Sequence, residues 1–326
     1  MSARRLILLA LALAAAAAVW GGGSPVANAA AGGGNTGTIY YLSGGAVWRM
    51  NPDGTGKAQL PAAVRGTPGF QVHAGRRWFL YAEGPYASRG LFAVREDGLS
   101  TVSLFSDAAV DVERAEWNRD DSTVALSAVD RRAGSPAGRL FRLDVAFDAN
   151  QIPFAAGVPL PVAESGIEVL GNGDTTTRIS VFTWSPTADR IAWGEKKADN
   201  SGYVVRMTTV ASGATTTIAS GNGPVWSPDG TRILFLTTTF TPPWWSVATM
   251  DPSGANVRAI VHSDSSYALA GPAGWSPDGA AVMYKRSKRS GFPITMDVYR
   301  AQATGSPSPR DLTSDVTAQA SPIAWR

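Results

Sequence analysis

The sequence predicts an all-β chain folded as a six-bladed β-propeller of four-stranded antiparallel blades, and three observations predict it. A segment running from Pro224 to Leu236, P-V-W-S-P-D-G-T-R-I-L-F-L, recurs along the chain with small variations. No long stretch carries helical periodicity, and charged residues make up only 17% of a chain rich in glycine and proline. The two ends of the repeat array are incomplete in complementary ways.

Each copy of the recurring segment reads as a hairpin. Trp226 closes a short apolar run, Ser227-Pro228-Asp229-Gly230 places four turn-favouring residues in a row, and Arg232 to Leu236 is an apolar run too short for a helix. Further copies centre on Trp275, Trp184 and Trp117, and a worn copy at Gln71 to Gly75 keeps the glycine without the tryptophan. A repeat of roughly 40 to 50 residues holding several strands points to a propeller. After each hairpin come a polar insertion, a third strand, a second turn and a fourth strand, so the strands of a blade are taken as a, b, c and d. In the unit from Gly223, strand c is Ser246 to Met250, the turn is Asp251 to Gly254 and strand d is Val257 to Val261.

Near the start, Thr38 to Leu42, Ala46 to Met50 and Lys57 to Leu60 read as strands b, c and d with no strand a before them. Ser321 to Arg326 reads as a strand a with nothing after it. Pairing the two completes a sixth blade and leaves no open sheet edge at the join.

Residues 1–29 are expected to be a signal peptide. Arg4 and Arg5 precede the apolar run Leu6 to Trp20, and Ala27-Asn28-Ala29 fits a small-x-small cleavage site. That run is short for a membrane span of about 20 residues, so export with no stable membrane insertion after cleavage is the reading, to a periplasm or beyond the cell. An uncleaved anchor is the alternative. Residues 30–36 read as a Gly-rich tether and 37–326 as the propeller. The absence of cysteine excludes disulfides. Losing Arg4 and Arg5 takes the net charge from +3 to +1, which argues against a nucleic acid partner.

The W-S-P-D-G-x-x-I-x-F hairpin with its downstream D-G or P-x-G turn resembles the WD-like repeats of the TolB propeller family. The resemblance spans about residues 37–326 and is strongest at Trp184, Trp226 and Trp275. It implies a six-bladed ring on an exported protein. The α/β domain through which TolB engages its partner has no counterpart before the first strand, so the resemblance implies a stand-alone propeller.

The motif tryptophans are expected to pack between blades rather than to bind ligand, and the motif aspartates to bond their own turn backbones. No G-x-S-x-G elbow occurs, and two histidines, His73 and His262, are too few for an H-E-x-x-H zinc site with a third histidine. No cofactor or metal is implied. The informative variation lies in the loops between strands b and c, at Glu83 to Arg89, Asp130 to Arg139, Glu195 to Gly202, Thr237 to Trp245 and Lys285 to Phe292. These loops carry ten basic against four acidic side chains, a net +6. The candidate binding residues on this b-c face are Tyr86, Arg131, Arg132, Trp244, Trp245, Lys285, Arg286, Lys288 and Arg289. Trp244 and Trp245, after Pro242-Pro243, read either as a stiffened aromatic anchor or as the start of strand c. The lysine and arginine cluster reads either as a solvated loop or as an anion site. The expected function is a monomeric binding or scaffolding module for a protein segment or an acidic envelope glycan. The alternative is a carbohydrate-active enzyme, a glycosidase or lyase with two carboxylates at the channel mouth.

Overall fold

The computed structural model describes residues 36–64, 78–134, 136–170, 174–238, 245–264, 266–288, 296–305, 309–316 and 319–326. Among the described residues there is no helix, and none therefore long and apolar enough to cross a membrane. Six antiparallel sheets form the blades, and a seventh, two-stranded sheet stands apart from them.

Blade one joins the chain's two ends. Its order is Ala320–Trp325, Ile39–Ser43, Ala46–Met50 and Ala58–Gln59, with Ile39 opposite both Trp325 and Met50. Blade two contributes Trp78–Glu83, Gly90–Arg95 and Thr101–Phe105, and its expected strand a, with the worn repeat and His73, lies outside the described residues. Blade three runs Val110–Trp117, Thr123–Asp130 and Ala137–Phe147, and two short strands, Pro153–Ala155 and Leu160–Ser165, share the long third strand as a divided strand d. Blade four is Ile179–Trp184, Arg190–Lys196, Tyr203–Thr209 and Thr215–Ser220. Blade five is Asn222–Trp226, Ile233–Thr237, Ser246–Met250 and Arg258–His262, and blade six is Tyr267–Trp275, Ala281–Lys288, Met296–Gln302 and Arg310–Asp311.

The sequence-derived c and d strands match within a residue or two. Blade six differs: strand b was expected to end at Tyr284 and instead continues to Lys288, so Lys285, Arg286 and Lys288 are strand residues rather than loop residues. The reason is the partner strand, where Met296, Asp297 and Val298 supply a register for Ser287, Arg286 and Lys285.

The hydrophobic core is six slabs, one between each pair of neighbouring blades. Tyr40, Phe79 and Tyr81 join blades one and two, and Trp78, Leu126 and Phe141 join two and three. Ile179 and Trp193 meet Leu140 between three and four, and Phe235 and Met250 meet Val205 between four and five. Tyr284 and Tyr299 face Leu234 between five and six, while Tyr41 and Trp325 meet Met283 where six returns to one. Neighbouring strands a touch one another around the ring, so they are the innermost strands. Each of the five described is bulged against its strand b, at Val112/Arg114, Ile179/Phe182, Asn222/Val225, Leu269/Gly271 with Pro272/Gly274, and along Ala320–Trp325 at the Tyr40/Tyr41 step. A bulge adds an unpaired residue and bends the strand, which re-aims side chains along the channel.

The motif turns are built as expected. Ser227 Oγ donates to Asp229 Oδ1 at 2.6 Å, Asp229 accepts from the Thr231 amide, and Gly230 adopts φ 72°. Asp278 and Asp120 accept from Ala280 and Ser122 in the same way.

Candidate binding site at the channel mouth

The two mouths of the channel differ in chemistry. On the side of the a-b turns, Trp117, Trp184, Trp226, Trp275 and Trp325 border a cavity of about 360 Å³, yet all five are buried. Two of their indole N–H groups bond between blades, Trp184 donating to the Glu116 carbonyl at 3.3 Å and Trp275 to the Val225 carbonyl at 3.0 Å. These rings close the blade interfaces and present little face to a ligand. The same mouth holds Glu116, which the sequence reading passed over. Its carboxylate is buried, accepts from Thr183 Oγ1 at 3.2 Å, and is pushed by burial to about 8 despite the neighbouring Arg326 guanidinium.

On the opposite, b-c side a cavity of about 560 Å³ opens between blades two, three and four. One wall is the seventh sheet, a hairpin of Ile167–Val169 and Thr175–Thr177 in the loop from blade three to blade four. Three blades hold it. Glu113, at the bulge of strand a, accepts from Thr176 Oγ1 and Thr177 Oγ1, each at 2.6 Å, and from the Thr177 amide. Arg131 donates to Thr175 Oγ1 at 2.8 Å and Tyr86 Oη to the Thr175 carbonyl at 3.2 Å. Lys196 reaches across to Glu168 at 2.7 Å. Between blades three and four the chain thus supplies a blade edge, at Pro153–Ala155 and Leu160–Ser165, and the pinned strands Ile167–Val169 and Thr175–Thr177 beside the channel.

Cations line this cavity unevenly. Arg89 forms a two-point pair with the fully buried Asp111, with both contacts at 2.8 Å, and this bond holds its guanidinium above the ordinary value. Arg178 donates Nε to the Ile167 carbonyl at 3.1 Å and has no carboxylate within ion-pair reach among the described residues. Arg114 is half-buried, its guanidinium makes no hydrogen bond or ion pair among the described residues, and burial holds it below its ordinary value. Tyr203 stands beside it.

The sequence-selected residues fall into two groups on opposite halves of the ring. Tyr86 and Arg131 converge on Thr175 beside the cavity, and Tyr86 keeps 45% of its surface exposed under the Arg89 guanidinium. Arg132 turns away, doubly bonded to Asp130 and 5.5 Å from the Phe141 ring centroid. On blades five and six, Trp245 precedes strand c at 36% exposure, its amide bonded to Ser263 Oγ. Arg286 is largely buried, paired with Asp264 at 2.7 Å and seated 3.9 Å over the Tyr267 ring. Lys285 is half-buried, which lowers its ammonium from the ordinary value, and Lys288 is exposed. Trp244 and Arg289 lie outside the described residues. Much of the loop charge is thus met by carboxylates that a loop sum leaves out, at Asp111, Glu164, Glu168 and Asp264. Arg114 and Arg178 escaped the sequence reading because both sit in or beside strands a, outside the loops that were summed.

No protein-family model and no curated protein sequence matches the chain. Solved structures do. TolB from Acinetobacter baumannii superposes with a TM-score of 0.57 at 10% identity over 90% of this chain and 68% of its own. A TolB candidate from Agrobacterium tumefaciens gives 0.57 at 17% identity over 85% and 88%. An oligogalacturonate lyase from Vibrio parahaemolyticus gives 0.55 at 12% identity over 84% and 74%. At these identities the likeness is one of fold, and by fold the chain is a six-bladed propeller like those of the TolB structures.

Proposed function

We propose that the protein is an exported binding or scaffolding module that takes an acidic partner of the cell envelope, a protein segment or an acidic glycan, on the b-c face of its ring. The observation that carries this reading is the b-c cavity of about 560 Å³, where Arg114 and Arg178 face the opening without carboxylate partners among the described residues. Its volume falls within the roughly 300–1,000 Å³ of small-ligand sites. Exposed Tyr86 beside it and Trp245 across the ring supply aromatic contact area on the same face. Amphipathic rings of this kind are common anchors in recognition surfaces. The TolB neighbours agree with partner binding on such a ring.

The enzymatic reading asks for two carboxylates free to act on substrate. At this mouth Glu113 is held by Thr176 and Thr177, and Glu168 by Lys196. That commitment favours a binder over a glycoside hydrolase.

The test is recovery of envelope components by the protein comprising residues 30–326, compared with Arg114→Gln/Arg178→Gln and with Trp244→Ala/Trp245→Ala, all three first matched by thermal melts. Loss of a component in either variant supports the b-c face as the binding surface. Identical recovery by all three would remove it, and turnover of envelope glycans would then be assayed.

A further inference from the structure

Resting on that reading, we propose that the b-c cavity is a subsite for one carboxylated sugar unit of an acidic glycan, its carboxylate held by Arg114 and Arg178. Three observations lead there. Every acidic side chain at the cavity is already engaged: Glu113 by the two threonine hydroxyls and an amide, Glu168 by Lys196, and Asp111, behind the wall, by Arg89. Glu113, the chain neighbour of Arg114, acts on it through space without pairing with it, so a carboxylate in direct contact with the Arg114 guanidinium would come from a ligand. A half-buried guanidinium with only water to face is costly, and a bidentate carboxylate is the group whose geometry its fork fits.

The placement of Arg114 is also specific. The register shift between Val112 and Arg114 makes Glu113 the extra residue of the bulge. Glu113 goes to the hairpin while Arg114 lines the cavity, so one irregularity both builds the wall and supplies the cation.

The rest of the lining suits a sugar better than a peptide. Tyr86 and Tyr203 offer ring faces, and the Ser180 and Thr176 oxygens, whose protons go to Asn222 or Gly194 and to Glu113, remain as acceptors, whereas among the described lining residues only Ala82, Leu170 and Ile179 are aliphatic. A peptide anchor needs a deep apolar pocket or an open strand edge. Here the inner strands that wall the cavity, Val110–Trp117 and Ile179–Trp184, are sheet edges, but both are bulged where they meet it, at Val112/Arg114 and Ile179/Phe182, which breaks the regular row of backbone groups that a peptide strand would pair with. The Tyr203 hydroxyl makes no hydrogen bond among the described residues, which leaves it for a sugar oxygen.

The experiment is titration calorimetry of the protein comprising residues 30–326 with D-glucuronate and with an alginate trisaccharide. Cellotriose serves as the neutral control and triglutamate as the acidic peptide control. The expected result is binding of the uronates, tighter for the trisaccharide, with at least a tenfold loss in Arg114→Gln and no change in Arg132→Gln, whose guanidinium is already spent on Asp130. If Arg114→Gln does not fold, Arg114→Lys is read instead; it keeps the charge, loses the fork and is expected to bind at least fivefold more weakly. No uronate heat at millimolar concentration, equal binding of triglutamate, or indifference to both Arg114 variants would overturn the proposal. A b-c face that still captures an envelope component while the uronates fail would overturn this inference and leave the binding function standing.

Discussion

Arg232 lies over the indole of Trp275 in the next blade, 4.8 Å from the ring centroid, and Arg190 repeats the arrangement over Trp226 at 5.0 Å. The arginine stands at or just before the start of strand b, three residues past the turn aspartate in one copy and one in the other, while the tryptophan closes strand a of the following unit. The motif therefore carries both halves of an interblade joint, which each unit shares with its two neighbours.

This joint sets the cost of losing a motif tryptophan. Trp226 packs with Ala192, Ile233 and Phe235 in the slab between blades four and five. Trp226→Ala is expected to cost roughly 3 to 5 kcal/mol in urea denaturation. Arg232→Ala, which removes the cation from the face of Trp275, is expected to cost about 0.5 to 2 kcal/mol. A Trp226→Ala loss near that of Arg232→Ala would mean that the ring is not a structural wedge.

Ring closure makes the second prediction. Residues Ala320 to Trp325 supply the inner strand of blade one, the Trp325 indole donates to the Thr36 carbonyl at 2.8 Å, and Ile323, Ala324 and Trp325 enter two core slabs. Deleting 321–326 removes a whole innermost strand and opens a sheet edge, so the melting temperature is expected to fall by well over 10 °C, with aggregation on heating. A frayed tail would shift it by a degree or two.

These two features were legible from the sequence because they are written in residues whose local chemistry has one structural use. Ser227-Pro228-Asp229-Gly230 makes a tight turn wherever it occurs, and a tryptophan spaced by the repeat can only be shared between repeats. The cavity was not legible, for a different reason in each part. Thr175-Thr176-Thr177 gives no sign of a hairpin by itself, since its strand exists only because Glu113, Arg131 and Tyr86 reach it from two other blades. Arg114 lies within strand a, in a run whose alternation is broken by a bulge that nothing in V-D-V-E-R-A-E-W announces. Arg286 misled in the opposite direction: a basic cluster looked exposed until Asp264 and Tyr267, some twenty residues earlier, were seen to take it in.

Glu113 should therefore control the hairpin without controlling the propeller. Glu113→Gln keeps the shape and trades charge-assisted bonds for neutral ones, and Glu113→Ala removes them and leaves the Thr177 amide to water. The alanine variant is expected to raise hydrogen exchange across 167–177 by one to two orders of magnitude, equivalent to about 1.5 to 3 kcal/mol of local stability, with the glutamine variant between it and the parent. Exchange in the strands of blades five and six should stay as it was. A uniform rise around the ring would assign Glu113 to the core instead.

Glu116 gives a pH dependence whose sign follows from its burial. Its carboxyl titrates near 8 in the folded protein against an ordinary value of 4.5, because burial penalises the anion more than the Arg326 guanidinium, the Thr183 hydroxyl and the Trp184 backbone amide relieve it. Between those two values the native chain keeps a proton that the unfolded chain has lost. The contribution of this group is thus fully present below about pH 4.5 and is lost as the pH rises through 8, with a slope no steeper than about 1.4 kcal/mol per pH unit. Glu116→Gln holds the neutral shape at every pH and should remove that component. The urea midpoint of the parent is expected to fall relative to that of Glu116→Gln as the pH is raised from 5 to 8. Parallel curves across that range would place Glu116 as a carboxylate at neutral pH, already ionised and stabilised by Arg326.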